Sequence, residues 1–158
     1  MFTDYELLLR LSVSVLLGGL IGLERQYKRR TAGLRTHILV CLGSCLILLT
    51  SMYVFDIYKN RAPVDPTRIA AGIVTGIGFL GAGAIIRAQS RERVTGLTTA
   101  ASLWVVAAIG MAVGCGFKHA AVYTTVLSLV VLFFLRYLEN FAFGNVDSTQ
   151  GGGESDGI

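Results

Sequence analysis

The side chains best suited to ion chemistry cluster in one stretch, GLERQYKRRTAGLRTH, at positions 22–37. Glu24 is an acid at the end of an apolar run, and an ionisable group at that depth is expected to pair with another charge. Arg25, Arg35 and His37 are its nearest candidates. The stretch therefore predicts either a salt bridge that locks the first two apolar segments together or an ion or proton site.

Further along the chain, Asp65 precedes Pro66, which is the typical start of a helix, with the acid as N-cap and the proline in the first turn. An outward-facing magnesium contact at Asp65 is the alternative. Glu6 and Arg10 are four residues apart and should pair on one helix face. The full set of candidates for ion binding or salt bridges is Glu24, Arg25, Arg35, His37, Asp65, Arg68 and Arg87.

His37, Cys41 and Cys45 recur every four residues and form a stripe on one helix. Imidazole and thiolate suit zinc or copper rather than magnesium, which prefers oxygen. Two of the three should lie in apolar surroundings, where a thiol stays protonated and inert, so we interpret the stripe as packing and expect no cofactor. No catalytic or nucleotide-binding motif appears in a suitable context. We therefore expect neither an enzyme nor a nucleic-acid partner.

The composition around these residues is that of a membrane protein. The mean hydropathy is +0.63, and only 15% of the 158 residues are charged. A spanning helix needs roughly 20 apolar residues, and five segments meet or approach that length. We predict an all-α bundle of five transmembrane helices in a single domain, residues 1–140, followed by a disordered, Gly-rich acidic tail, residues 141–158. The predicted helices are 7–23, 36–55, 69–86, 97–117 and 119–138.

Basic residues in short loops favour the cytoplasmic side. Nine of the fourteen lie on one side if the loop after the first helix is cytoplasmic, which predicts an N-terminus outside and a C-terminus inside. Helices two and four then begin at a basic layer suited to anions. We expect anionic lipid head groups there, with a phosphate ligand or an acidic membrane partner protein as the alternative. The residues of this face are Lys28, Arg29, Arg30, Arg91, Arg93, Thr36, Thr98 and Thr99.

The chain also resembles itself at a shift of 63 residues, because AGLRTH and TGLTTA both follow a basic loop and open an apolar helix. Two such copies would be parallel repeats about an axis along the membrane normal, with the fifth helix alone.

Glycines spaced four apart allow another backbone to approach closely. The third segment carries so many that we expect it in the middle of the bundle, with a broken helix lining a site as the alternative. The predicted packing residues are Gly18, Gly22, Gly72, Gly76, Gly78, Gly81, Gly83, Gly110 and Gly114.

Three ordered motifs, GGLIGLERQYKRRTAGLRTHILVCLGS, DPTRIAAGIVTGIGFLGAGAIIR and VTGLTTAASLWVVAAIGMAVGCG, closely resemble the MgtC/SapB family of bacterial inner-membrane proteins. The resemblance spans about Gly18 to Gly116. It implies a five-helix inner-membrane protein whose relatives are tied to growth in low magnesium, survival inside host cells and control of the membrane ATP synthase. MgtC itself continues into a cytoplasmic C-terminal domain, whereas this chain stops shortly after the fifth helix, so we expect functions of that domain not to apply.

Two function classes follow from the residues and the resemblance together. The first is a regulatory or adaptor protein of magnesium and acid stress homeostasis, and the second is a small transporter or channel with Glu24 as its intramembrane site. A magnesium pore should carry rings of acids, but Glu24 is the only acid at a cytoplasmic membrane boundary within the shared motifs, and Asp65 belongs to the outer loop. We therefore predict that the protein alone does not conduct magnesium. Small-residue faces predict a homodimer or a higher oligomer.

Overall fold

A computed structural model of the protein describes residues 2–61, 63–87 and 95–135. The chain forms five α-helices and ends, within this part, in one turn of π-helix at Val131–Leu135; the described residues include no β-strand. The helices are α1 Asp4–Tyr27, α2 Leu34–Tyr58, α3 Thr67–Arg87, α4 Leu97–Gly114 and α5 Lys118–Val130. This confirms the predicted all-α class.

Four of the helices, α1 to α4, are long and apolar enough to cross a membrane. The protein is therefore a multi-pass membrane protein. The fifth apolar helix is shorter in the described part of the chain, where it runs over Lys118–Phe134. The predicted segment 119–138 extends past the described residues, and the predicted tail 141–158 lies outside them altogether.

Local signals explain where the helices start. The hydroxyl of Thr3 accepts a hydrogen bond from the amide of Glu6 at 3.3 Å and caps α1. Asp65 accepts hydrogen bonds from both the amide and the hydroxyl of Thr67, at 2.8 and 2.7 Å, just before α3. This arrangement matches the capping interpretation of Asp65, since a side-chain oxygen satisfies an otherwise free amide at a helix start.

Helices α2 and α4 lie side by side at the centre, and glycine makes their close approach possible. A Cβ added at Gly110 would clash with the Cys41 carbonyl oxygen, and one added at Gly114 would lie 2.8 Å from that of Cys45. Gly18 of α1 is equally tight, with 2.7 Å to the Cys41 Cβ. The central core consists of Leu17, Ile21, Cys41, Cys45, Leu49, Val106, Ile109, Val113 and Ala121.

The expectation that the third helix sits in the middle of the bundle is wrong. Only 17% of its membrane window is buried, against 50% for α4. A Cβ at Gly72, Gly76, Gly78 or Gly83 would meet nothing within 4 Å, and only Gly81 has a neighbour, Ala100, at 3.6 Å. Glycine permits close helix packing but does not require it, so α3 attaches mainly through the small core of Ile73, Ile77 and Ala107.

The proposed internal repeat corresponds to two neighbouring helices. Gly33 and Gly96, the matched glycines, are the residues immediately before α2 and α4. The two helices also run in the same direction, because His37 contacts Ser102 near their starts and Cys45 approaches Gly114 further along. Parallel repeats predict this arrangement.

Candidate functional site

A buried polar cluster lies where α1 ends and where α2 and α4 begin. Its members are Glu24, Arg25, His37, Thr99 and Ser102, and each is at most 7% exposed. Polar side chains buried at membrane depth need internal partners, because lipid offers none. These five residues are therefore the main candidate for a functional site within the described part of the chain.

Glu24 and Arg25 form a buried ion pair within α1. The Glu24 Oε2 atom lies 3.6 Å from Arg25 Nη1, and the two side chains are 2% and 4% exposed. Arg25 also donates a hydrogen bond from Nη2 to the hydroxyl of Thr99 at 3.2 Å, which ties α1 to α4. The prediction that a Glu24 salt bridge would lock helix one to helix two is wrong, because the ion pair stays within α1 and Arg25 reaches α4 instead.

The imidazole of His37 joins α2 to α4. Its Nδ1 atom lies 2.9 Å from the carbonyl oxygen of Gly33, and its Nε2 atom lies 3.1 Å from the hydroxyl of Ser102. A carbonyl only accepts, so Nδ1 must carry hydrogen. The Ser102 hydroxyl is also 2.8 Å from the Thr99 carbonyl. When the ring is neutral, the hydroxyl of Ser102 donates its hydrogen to Nε2. When the ring is protonated, Nε2 donates to the Ser102 oxygen, and the hydroxyl hydrogen is then donated to the Thr99 carbonyl.

This geometry fits a set of contacts that hold α1, α2 and α4 together better than it fits a cation site. The one acid of the cluster faces an arginine, and magnesium is held through oxygen ligands. Within residues 2–61, 63–87 and 95–135, no group of three His, Cys, Asp or Glu side chains is arranged to hold a metal ion. Cys41 and Cys45 are fully buried in the apolar core, as the packing interpretation predicts.

A second polar contact closes the opposite end of the bundle. Arg10 is 8% exposed and donates from Nη1 to the carbonyl oxygen of Gly114 at 2.7 Å, at the end of α4. It also pairs with Glu6 at 3.4 Å, as the sequence predicts, and its guanidinium lies 4.4 Å from the ring centre of Phe2. A buried cation at a helix C-terminus satisfies a free carbonyl and the helix dipole.

Two predicted site residues lie far from Glu24. Asp65 and Arg68 are exposed at the start of α3, the end of the bundle that also contains Arg10. Hydrogen bonds from the hydroxyl and the amide of Thr67 lower the pKa of the Asp65 carboxyl. Asp65 thus acts as a cap for α3, and the structure does not bring it together with the buried cluster.

The predicted basic face divides into buried and exposed members. Thr99 belongs to the buried cluster, whereas Thr98 is exposed and Thr36 and Arg35 line a groove between α2 and α3. Arg29 and Arg30 are exposed, and the ammonium of Lys28 lies 5.3 Å from the ring centre of Tyr27. Arg87 ends α3, and Arg91 and Arg93 lie outside the described residues.

Sequence reasoning missed two residues, Ser102 and Gly43, and one contact between residues that it did name. Ser102 gave no signal beyond being a serine in an apolar helix, although it lies 65 positions after His37, close to the repeat shift of 63. The missed contact is the hydrogen bond from Arg10 to the carbonyl of Gly114, which joins α1 to the end of α4 across 104 positions of sequence. Gly43, in the groove, belongs to no four-residue glycine pair.

Known bacterial proteins are similar in sequence to most of this chain. The chain is 45% identical over 129 residues to the putative magnesium transporter YhiD of Escherichia coli K12, covering 80% of this chain and 59% of that protein. It is 45% identical over 132 residues to protein MgtC of Salmonella typhimurium LT2, covering 84% and 53%. It is 38% identical over 140 residues to protein SapB of Bacillus subtilis 168, covering 87% and 60%.

The chain thus spans between half and three-fifths of the length of these relatives. No solved structure matches it. The model of the MgtC family matches residues 11–141, which include all four long helices almost completely and the buried polar cluster. This chain therefore belongs to the MgtC family of membrane proteins.

Proposed function

We propose that this protein is a regulatory or adaptor protein of magnesium and acid stress homeostasis in the bacterial inner membrane, and that it does not itself transport the ion. Two observations support the magnesium setting: membership of the MgtC family and the 45% identity to a relative named as a putative magnesium transporter. The relatives are longer than this chain, so the proposal concerns the membrane part that they share.

The ion pair of Glu24 and Arg25 is the observation that supports a regulatory rather than a transport function. A cation path needs carboxylate oxygens that face the ion, whereas here the carboxylate faces a guanidinium at 3.6 Å. That guanidinium is in turn bonded to Thr99 of α4. Breaking a buried ion pair costs about 3–5 kcal/mol, so an ion that competed for Glu24 would have to supply that energy.

The exposed basic loop, residues 28–33, offers a surface for partners. We place it in the cytoplasm on the positive-inside rule, which puts the N-terminus outside and the C-terminus inside. Arg29 and Arg30 are exposed there. Their charge suits anionic lipid head groups or an acidic membrane partner protein, at about 1 kcal/mol per basic residue.

We also propose that the protein forms a homodimer or a higher oligomer. The exposed surface of α3, which includes Gly78, offers a face on which a second helix could pack closely. The mass of the protein in nanodiscs measures this directly. A purely monomeric mass contradicts the proposal, and the Gly78→Leu variant should shift the mass towards the monomer.

The test of the regulatory proposal separates growth from uptake. In a strain that lacks this protein, growth in low-magnesium medium should fall, while the initial rate of uptake of isotopically labelled magnesium stays the same. Re-expression of the native chain should restore growth, and re-expression of the Thr99→Val variant, which loses the hydroxyl that binds Arg25, should restore it less. An initial uptake rate that falls with the deletion and returns with the native chain contradicts the regulatory proposal.

Transport is the second candidate, and one feature of the site favours it. The Oε2 atom of Glu24 is buried, its 3.6 Å separation from Arg25 Nη1 is longer than a hydrogen bond, and no donor among the described residues reaches it. A buried carboxylate oxygen in that state is available to a proton or a cation. On this alternative Glu24 is the intramembrane site, and an oligomer would assemble one such acid from each subunit.

A further inference from the structure

An apolar groove of about 710 Å³ runs between α2 and α3 on the lipid-facing side of the bundle. Ile73 and Ile77 form its floor, because both are buried and pack in one cluster with Ala107 of α4. Three glycines leave its length open: a Cβ added at Gly43, Gly72 or Gly76 would meet no atom within 4 Å. The groove therefore has room for an extended apolar chain.

One end of the groove is positively charged. Arg35 lies in the lining at the end next to the basic loop, with Thr36 beside it. Arg35 is exposed, and none of the side chains that the structure describes forms an ion pair or hydrogen bond with it. Among the described residues, the lining includes no Asp or Glu. A ligand that fits this surface has an anionic head and an apolar tail.

The length of the groove matches one leaflet of a bilayer. Its lining extends along α2 from Arg35 to Ile47, which is ~18 Å at the helical rise of 1.5 Å per residue. Half of the hydrocarbon core is ~15 Å. A tail whose head group is held at Arg35 would thus follow the groove to about the middle of the membrane.

We propose that this groove binds one anionic phospholipid from the leaflet next to the basic loop. Its phosphate pairs with Arg35, and an acyl chain lies between α2 and α3 over Gly72 and Gly76. This site goes beyond the regulatory function proposed above and does not depend on it.

A second copy of the chain is a poorer occupant. Two copies inserted with the same orientation bring their Arg35 side chains and their basic loops to the same level, so like charges meet. The described lining of the groove offers no acid to balance them, whereas a phospholipid supplies negative charge together with the apolar chain.

Native mass spectrometry of the protein released from nanodiscs of equal parts phosphatidylglycerol and phosphatidylcholine tests the proposal. The native chain should retain one phosphatidylglycerol. Gly76→Leu fills the groove and should lower the bound fraction at least fivefold, while Thr75→Leu, exposed on the same helix outside the groove lining, should not. Arg35→Gln should lower the preference for phosphatidylglycerol over phosphatidylcholine about fivefold, and Arg68→Gln, exposed at the opposite end of the bundle, should leave it unchanged.

Three results would overturn the lipid site. The first is full retention of lipid by Gly76→Leu with a melting curve like that of the native chain. The second is an equal loss of preference in Arg35→Gln and Arg68→Gln, because binding would then follow the general charge of the protein. The third is a native dimer that Gly76→Leu converts to a monomer without changing the lipid bound per chain. If Gly76→Leu does not fold, Gly72→Leu and the Arg35→Gln comparison decide.

Discussion

Replacing Gly110 by alanine should destabilise the bundle because it separates its two central helices. The added Cβ would lie 3.0 Å from the Cβ of Ser44 and would clash with the carbonyl oxygen of Cys41. Backbone atoms cannot rotate away, so α2 and α4 must move apart. Overpacking costs about 1–3 kcal/mol, and a clash with backbone should cost about 3 kcal/mol, the upper end of that range, of which alanine regains up to about 1 kcal/mol through helix propensity. We expect a net loss of about 2 kcal/mol.

Thermal unfolding of the purified protein in detergent measures this loss. For a chain of 158 residues, about 2 kcal/mol corresponds to a fall of roughly 6 °C in melting temperature. Gly72→Ala is the matched control, since its Cβ would meet nothing within 4 Å, and its melting temperature should stay or rise. Equal effects of the two substitutions would refute the close packing of α2 on α4 and the exposed position of α3.

Three further predictions concern the polar contacts and the thiols. Ser102→Ala removes the partner of His37 Nε2 and should lower the free energy of unfolding by about 1–3 kcal/mol. Ser128→Ala, half-buried and hydrogen-bonded within its own helix, should be near neutral in the same melt. Asp65→Ala should lower the melting temperature more at pH 7 than at pH 2, because the folded pKa of Asp65 is below its unfolded value and its contribution, present above the unfolded value, declines as the pH falls towards the folded one. An effect as large at pH 2 as at pH 7 would contradict this. A membrane-permeant maleimide should label the exposed Cys115 and leave the buried Cys41 and Cys45 unmodified in the folded protein, as counted by intact mass.

The sequence was sufficient to predict the helices but not their arrangement. Apolar runs of about 20 residues leave few alternatives to spanning helices, and α1 to α4 confirm this. The position of α3 could not be predicted in the same way, since exposed and packed glycines look alike in a sequence. Gly72 and Gly110 both belong to four-residue pairs, yet only Gly110 lies against a neighbouring backbone.

The candidate site shows the same limit. The sequence identified Glu24, Arg25 and His37 as a charged cluster, because ionisable residues in apolar segments are rare and need partners. It could not show that Arg25 pairs with Thr99 or that His37 pairs with Ser102, because these contacts depend on how α4 is aligned against its neighbours. The proximity of Arg35 to Glu24 in sequence predicts that the two side chains lie together. The structure instead places Arg35 in the groove between α2 and α3.

Magnesium flux into liposomes is the measurement that tests the regulatory proposal most directly. The purified protein is reconstituted in vesicles that enclose a magnesium-sensitive dye, beside empty vesicles and vesicles with the Glu24→Gln variant. Since the carboxylate of Glu24 is held by Arg25, the native protein should give no more flux than empty vesicles. Flux above that level that disappears in Glu24→Gln would contradict the regulatory proposal and identify Glu24 as a transport site.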